Sequence, residues 1–147
     1  MKTRKPVAPA TAPADPAQWS AQSRRSVAAT FRNSYADRSY NCRCCGQAAV
    51  FTALEQKHAF EVNKTHIHKQ RFLCEPCWRA EHAVQEKLAA MAARWAQNQR
   101  ELRGDLDFLG GWRALLSEHE RYGARPDQAR QAMLDKLIQA LGAPGQA

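Results

Sequence analysis

Residues 39–77 read SYNCRCCGQAAVFTALEQKHAFEVNKTHIHKQRFLCEPC, and the Cys-x-x-Cys pairs near its two ends, Cys42/Cys45 and Cys74/Cys77, decide the fold. Zinc accepts four thiolates in a tetrahedron without a ligand-field preference, and each such turn offers two sulfurs spaced for one ion. One structural Zn2+ held by Cys42, Cys45, Cys74 and Cys77 is therefore expected. Four thiolates close the shell, so His66 and His68 read as surface or strand histidines and Cys44 as a spare thiol. Two redox dithiols are the alternative, but such motifs sit singly beside a βαβ pattern that this sequence lacks. Iron–sulfur ligation by the same four thiols is a lesser alternative.

Between the pairs, Gly46 follows the second ligand, where a knuckle needs a tight backbone. Val50-Phe51 favours a strand, and Thr52-Ala53-Leu54-Glu55 matches a capping box that would open a helix from about Ala53 to Val62. Asn63-Lys64 would turn the chain, and Lys69 to Leu73 would return as a strand. After Pro76 the sequence contains no glycine or proline up to Arg103, and Gly104 stands at a C-cap position. The second cysteine pair thus opens a long helix, whose free amides and macrodipole favour thiolate charge.

A knuckle, an intervening hairpin and a second pair on a helix's first turn make a treble clef rather than an all-β ribbon. The stretch from Tyr40 to about Lys87 resembles a family of small bacterial proteins described as probable zinc-ribbon or treble-clef domains. The resemblance rests on Cys42-x-x-Cys45-Gly46, Val50-Phe51-Thr52-Ala53, Glu55-Gln56-Lys57, Glu61-Val62, and Cys74-x-x-Cys77 followed by Arg79-Ala80. It covers about a third of the chain and implies zinc binding and a small α+β fold, with no activity attached. Cys44, Trp78 and the residues after about Arg94 lie outside it.

Val84, Leu88, Met91, Trp95 and Leu102, with Asn98 completing the spacing, form one seam on the long helix of residues 76–103. That helix would run about 40 Å at 1.5 Å per residue, well past a small zinc core. Residues 105–141 supply a cover. Phe108, Leu109, Trp112, Leu115 and Leu116 are followed, after Gly123 and Pro126, by Met133, Leu134, Leu137, Ile138 and Leu141 at helical spacing. They either fold back as a C-terminal helical hairpin or leave the seam to pair between chains. The tail from Gly142 is expected to fray. Toward the N-terminus, residues 1–15 are rich in proline and alanine and read as a disordered basic arm. Residues 16–38 read as a short helix and linker, with Asp15 capping, Pro16 at the first position, and Trp19, Val27 and Phe31 along one face. The zinc domain itself spans 39–80.

The net charge of +8 is not spread evenly. Residues 1–40 carry seven Lys/Arg against two Asp/Glu, residues 41–80 six against three, and the remainder nine against nine. A basic arm beside a compact domain suits a polyanion, because neutralising phosphates releases condensed counterions. Arg24, Arg25, Arg32, Arg38, Arg43, Lys57, Lys64, Lys69 and Arg71 are the candidate nucleic-acid contacts, with Tyr35, Tyr40 and Phe72 as candidate stacking residues. Arg43, Lys69, Arg71 and Arg79 flank the ligands and would temper the net charge of −2 that four thiolates and one Zn2+ leave. No run reaches the 18 or so apolar residues of a membrane span and no secretory core is present, so a cytoplasmic location without membrane contact is expected.

The expected function is a non-enzymatic zinc module that presents a basic surface to RNA or DNA, with no small-molecule substrate. The alternative is a protein-interaction adaptor, or self-association, through the long helix and C-terminal helices, using Trp95 or Trp112. A degenerate His-Asn-His-type nuclease is a lesser alternative. That chemistry needs a histidine after the second cysteine pair, where Trp78 stands, and an open metal position that four thiolates do not leave.

Overall fold

The computed structural model describes residues 10–142. The chain divides into two compact units, one formed by the residues up to Cys42 with Gly46–Cys74, the other by Arg43–Cys45 with the residues from Glu75 onward.

The first unit is built on two short antiparallel ladders. β1 (Thr11–Pro13) pairs with β2 (Ser34–Ala36), placing Ala12 opposite Tyr35, and β3 (Arg38–Asn41) pairs with β4 (Ala48–Phe51), placing Arg38 opposite Phe51. The end of the expected disordered arm is therefore ordered. Ala12 is buried, and the 10–13 stretch has a ladder partner more than twenty residues away that its own composition does not reveal. Residues 1–9 of that arm, and residues 143–147 of the tail expected to fray, lie outside the described residues.

The single helix and linker expected over 16–38 are instead three short pieces and a strand. Asp15 caps a 3-10 turn at Pro16–Gln18, its carboxylate accepting from Ala17 N–H at 3.1 Å. Trp19 then leaves helical geometry and Ser20 caps α1 (Ala21–Arg24); α2 (Ala28–Phe31) follows, and the linker ends in β2. Because the helix restarts, Trp19, Val27 and Phe31 do not share a face: Trp19 is buried, whereas Val27 and Phe31 are 75% and 69% exposed.

Trp19 Nε1 donates to the Tyr35 hydroxyl at 2.7 Å, and that hydroxyl donates to Glu61 Oε1 at 3.0 Å. Burial pushes the Tyr35 phenol up to about 12, so it remains a donor. Glu61 also accepts from Asp15 N–H at 2.8 Å and pairs with Lys57 at 3.0 Å. Burial alone would raise the Glu61 carboxyl; the bonds from Asp15, Lys57 and Tyr35 outweigh it and hold the group below its ordinary 4.5. A carboxyl depressed by folding contributes stability present above its unfolded pKa and lost as pH falls through the folded one. Stability of this unit should decline as pH falls below about 4.5, and Glu61→Gln should flatten that decline. Denaturant midpoints taken across the acid range check this, and equal slopes for both proteins would contradict it.

The capping box is present as read. Glu55 N–H donates to Thr52 Oγ1 at 3.1 Å and Thr52 N–H to Glu55 Oε2 at 3.0 Å, opening α3 (Ala53–Lys57), which continues as a π-helical turn over His58–Val62. Ala53, Gln56 and Phe60 share its buried stripe. Gln56 Nε2 donates to the carbonyls of Ala36 at 2.6 Å and Phe51 at 2.9 Å, while Asp37 accepts from Ala53 N–H at 2.7 Å. These bonds fix α3 against the strand ends. The core comprises Ala12, Trp19, Ala28, Tyr35, Phe51, Ala53, Phe60 and Ile67.

The expected return strand at Lys69–Leu73 does not form. β3 and β4 pair with each other across the knuckle, and the Leu73 carbonyl is taken by the Tyr40 hydroxyl at 2.8 Å. His66 and His68 lie at a turn, with Lys69 N–H bonded to the His66 carbonyl at 2.9 Å, rather than alternating along a strand.

In the second unit α4 runs Glu75–Leu102, with Asn98 departing from helical angles (φ −132, ψ 37). Gly104 does not adopt a positive φ; its N–H bonds the Glu101 carbonyl at 3.2 Å, and Asp105 at once caps α5 (Leu106–Arg121) through Phe108 N–H at 3.0 Å. Gly123, at φ +89, starts the next connection, and a Cβ there would come within 2.6 Å of the Arg43 side chain. α6 (Gln128–Gly142) begins after Pro126, with Asp127 accepting from Arg130 N–H at 3.1 Å, so proline precedes the cap instead of opening the helix. α5 packs on α4 and on α6, and together they cover the seam. Leu102, Phe108, Leu109, Trp112, Leu116 and Leu134 form the buried core, flanked by Leu88, Met91, Trp95, Met133, Leu137 and Ile138. Among the described residues no helix is long and apolar enough to cross a membrane.

Candidate metal centre

β3 delivers the first ligand. Cys42 N–H donates to the Gln47 carbonyl at 2.8 Å, and Gly46 N–H returns to the Cys42 carbonyl at 2.9 Å, closing a tight turn around Cys45. Gly46 sits at φ +75, a conformation that a side chain resists, so the glycine after the second ligand has a backbone reason. The second pair straddles the start of α4, with Cys74 immediately before the helix and Cys77 in its first turn. Tyr40 anchors this arm through Leu73. Burial is the main cause that raises the Tyr40 phenol, which keeps it protonated and donating.

The four ligand sulfurs of Cys42, Cys45, Cys74 and Cys77 all lie within 4.8 Å of one another. A tetrahedron with metal–sulfur bonds of 2.3 Å has edges of about 3.8 Å, so small adjustments would let these four sulfurs hold one metal ion. Residues 36–86 match the family model described as a probable treble clef domain.

This segment is a treble-clef domain.

No curated protein and no solved structure matches the chain. The treble clef holds a group of four thiols able to bind a metal ion, and among the described residues no histidine or carboxylate belongs to that group. Cys44, partly buried, points to no ligand role by this grouping. His66 and His68 contact each other, with ring centroids 5.3 Å apart.

The cations expected around the site are partly committed elsewhere. Arg71 bonds Glu55 at 3.2 Å and lies 4.1 Å over the Phe51 ring, and Arg79 pairs with Glu75 at 2.5 Å. Arg43 packs against Gly123. Of the other nucleic-acid candidates, Lys57 bonds the Pro13 carbonyl at 2.7 Å as well as Glu61, and Lys64 bonds the Gln18 carbonyl. Arg24, Arg25, Arg38 and Lys69 are exposed and Arg32 is half-buried. Tyr35, read as a stacking residue, is 1% exposed and belongs to the core; Tyr40 is half-buried, and Phe72 is exposed. The sequence reading missed Phe31 as an exposed aromatic, because its exposure follows from the break between α1 and α2. Trp78 is exposed and lies against the His82 ring, tilted by 36° with centroids 3.8 Å apart, at the place where a nuclease of the kind considered would carry a histidine.

Proposed function

We propose that the protein is a non-enzymatic nucleic-acid-binding module whose treble clef is folded around one structural zinc ion. The donor set supports zinc, since four thiolates suit a borderline-soft, tetrahedral ion. The same set leaves no position for a metal-bound water or substrate, which argues against metal catalysis at this site.

The observation that carries the nucleic-acid reading is how charge is arranged in the first unit. Its described residues include eight Lys/Arg and four Asp/Glu. Every one of those four carboxylates is turned to an internal donor: Asp15 and Asp37 to backbone amides, Glu55 to its capping box and Arg71, Glu61 to the Asp15–Tyr35–Lys57 network. The acids are used to hold the fold, whereas Arg24, Arg25, Arg38 and Lys69 are exposed. A polyanion gains from such a surface by counterion release.

The adaptor reading relied on the seam of α4 and on Trp95 or Trp112. That seam is covered by α5 and α6, with Trp112 at 0% exposure and Trp95 half-buried beside it.

Fluorescence anisotropy with a labelled oligonucleotide tests the proposal. Binding should weaken roughly tenfold or more between about 50 and 200 mM salt. Absence of binding at the lower salt would sink it.

A further inference from the structure

Two arginines and an aromatic ring meet in a concavity of the first unit. Phe31 ends α2 with its ring 69% exposed; Arg32 follows it, Arg38 opens β3, and His68 and Gln70 come from the turn after the π-helical segment. Ile67, buried, forms the floor, and the concavity measures about 290 Å³. That is near the lower limit for small-ligand sites. It suits one unpaired nucleotide.

Arg32 and Arg38 both line this concavity. Burial first, and the charge of Arg38 second, lower the Arg32 pKa from its ordinary value. Among the described residues neither arginine pairs with a carboxylate, whereas Lys57, Arg71, Arg79, Arg113 and Arg130 all do. Two guanidinium groups lining one concavity without a carboxylate between them favour a shared anion, and phosphate takes such forks bidentately. The exposed ring beside them adds what a phosphate alone would not need, a flat apolar face on which a base can stack.

We propose that this concavity is a nucleotide subsite for single-stranded nucleic acid, in which a base stacks on Phe31, Arg32 and Arg38 share a backbone phosphate, and Gln70 and His68 face the base edge. The inference rests on the nucleic-acid reading above and narrows it to unpaired strands. A paired base keeps both faces inside its stack, so a duplex would engage the arginines without the ring.

The test compares an oligonucleotide of about 12 unpaired nucleotides with a duplex of equal length. Phe31→Ala should weaken single-strand binding roughly tenfold and duplex binding by less than about twofold. Phe31→Tyr should retain the wild-type single-strand affinity, which separates lost stacking from damage to the fold. Arg38→Ala should weaken both ligands and lower the salt slope by about one. Wild-type binding with Phe31→Ala indistinguishable from it, or with equal losses on both ligands, would overturn the subsite and leave the broader reading standing. No wild-type binding at about 50 mM salt would overturn both.

Discussion

Replacing Cys74 with alanine should unfold the treble clef while leaving the three C-terminal helices largely formed. Structural zinc contributes roughly 10 to 16 kcal/mol to small domains, comparable with the entire stability of a domain. The first unit, which contains most of the clef, has little to set against that loss: its ladders are three and four residues long, and its core is eight residues, two of them alanines on the helical pieces and one an alanine on β1. An alanine at position 74 also removes one of the four sulfurs that would share the ion. The second unit keeps its own core of Leu102, Phe108, Leu109, Trp112, Leu116 and Leu134. In an amide correlation spectrum, signals from residues 38–73 should collapse to unfolded positions while those of α5 and α6 stay dispersed. A chelator should produce the same pattern in the wild type. A fully dispersed spectrum from the variant would mean that the sulfurs are not what holds the clef.

Trp112→Ala should have the opposite distribution. The ring is fully buried and lies 5.7 Å from Trp95 and 5.6 Å from Phe108, with the Arg130 guanidinium 5.1 Å over its face. Truncating a buried tryptophan costs about 3 to 5 kcal/mol, partly as transfer free energy and partly as the cavity left behind. None of the four cysteines belongs to this core, so that loss is a large share of its stability. Among the described residues Trp112 Nε1 has no hydrogen-bond partner. A buried unpaired donor costs about 1 to 3 kcal/mol, so Trp112→Phe trades lost contact area against relief of that cost and should lie much closer to wild type. Denaturant unfolding followed by far-UV circular dichroism separates the two variants. A loss below about 1 kcal/mol for Trp112→Ala would contradict the packing described, since surface substitutions fall in that range.

The features legible in the sequence are those whose cause is local. Cys42-x-x-Cys45 and Cys74-x-x-Cys77 are readable because one ion dictates their spacing, and Thr52 with Glu55 because both halves of the capping box lie within a single turn. The long helix is readable from an unbroken run of good helix formers. What escaped the sequence depends on partners far along the chain. Thr11–Pro13 becomes a strand only because Ser34–Ala36 lies beside it, and a proline-rich composition gives no hint of that. Trp19 is core because Tyr35 receives its N–H, and Lys69–Leu73 stays irregular because Tyr40 captures the Leu73 carbonyl. Phe31, Arg38 and Gln70 are likewise brought together only by the tertiary fold. The charge asymmetry was visible in composition. Which carboxylates are spent inside the fold was not.

The central claim is that four cysteine sulfurs close around one structural zinc ion. X-ray absorption at the zinc edge, with metal content measured on the same purified protein, tests it directly. The account predicts one zinc per chain in a first shell of four sulfurs at about 2.3 Å, and loss of that ion in Cys74→Ala. Equal metal content in both proteins, or a first shell containing nitrogen or oxygen donors, would contradict it.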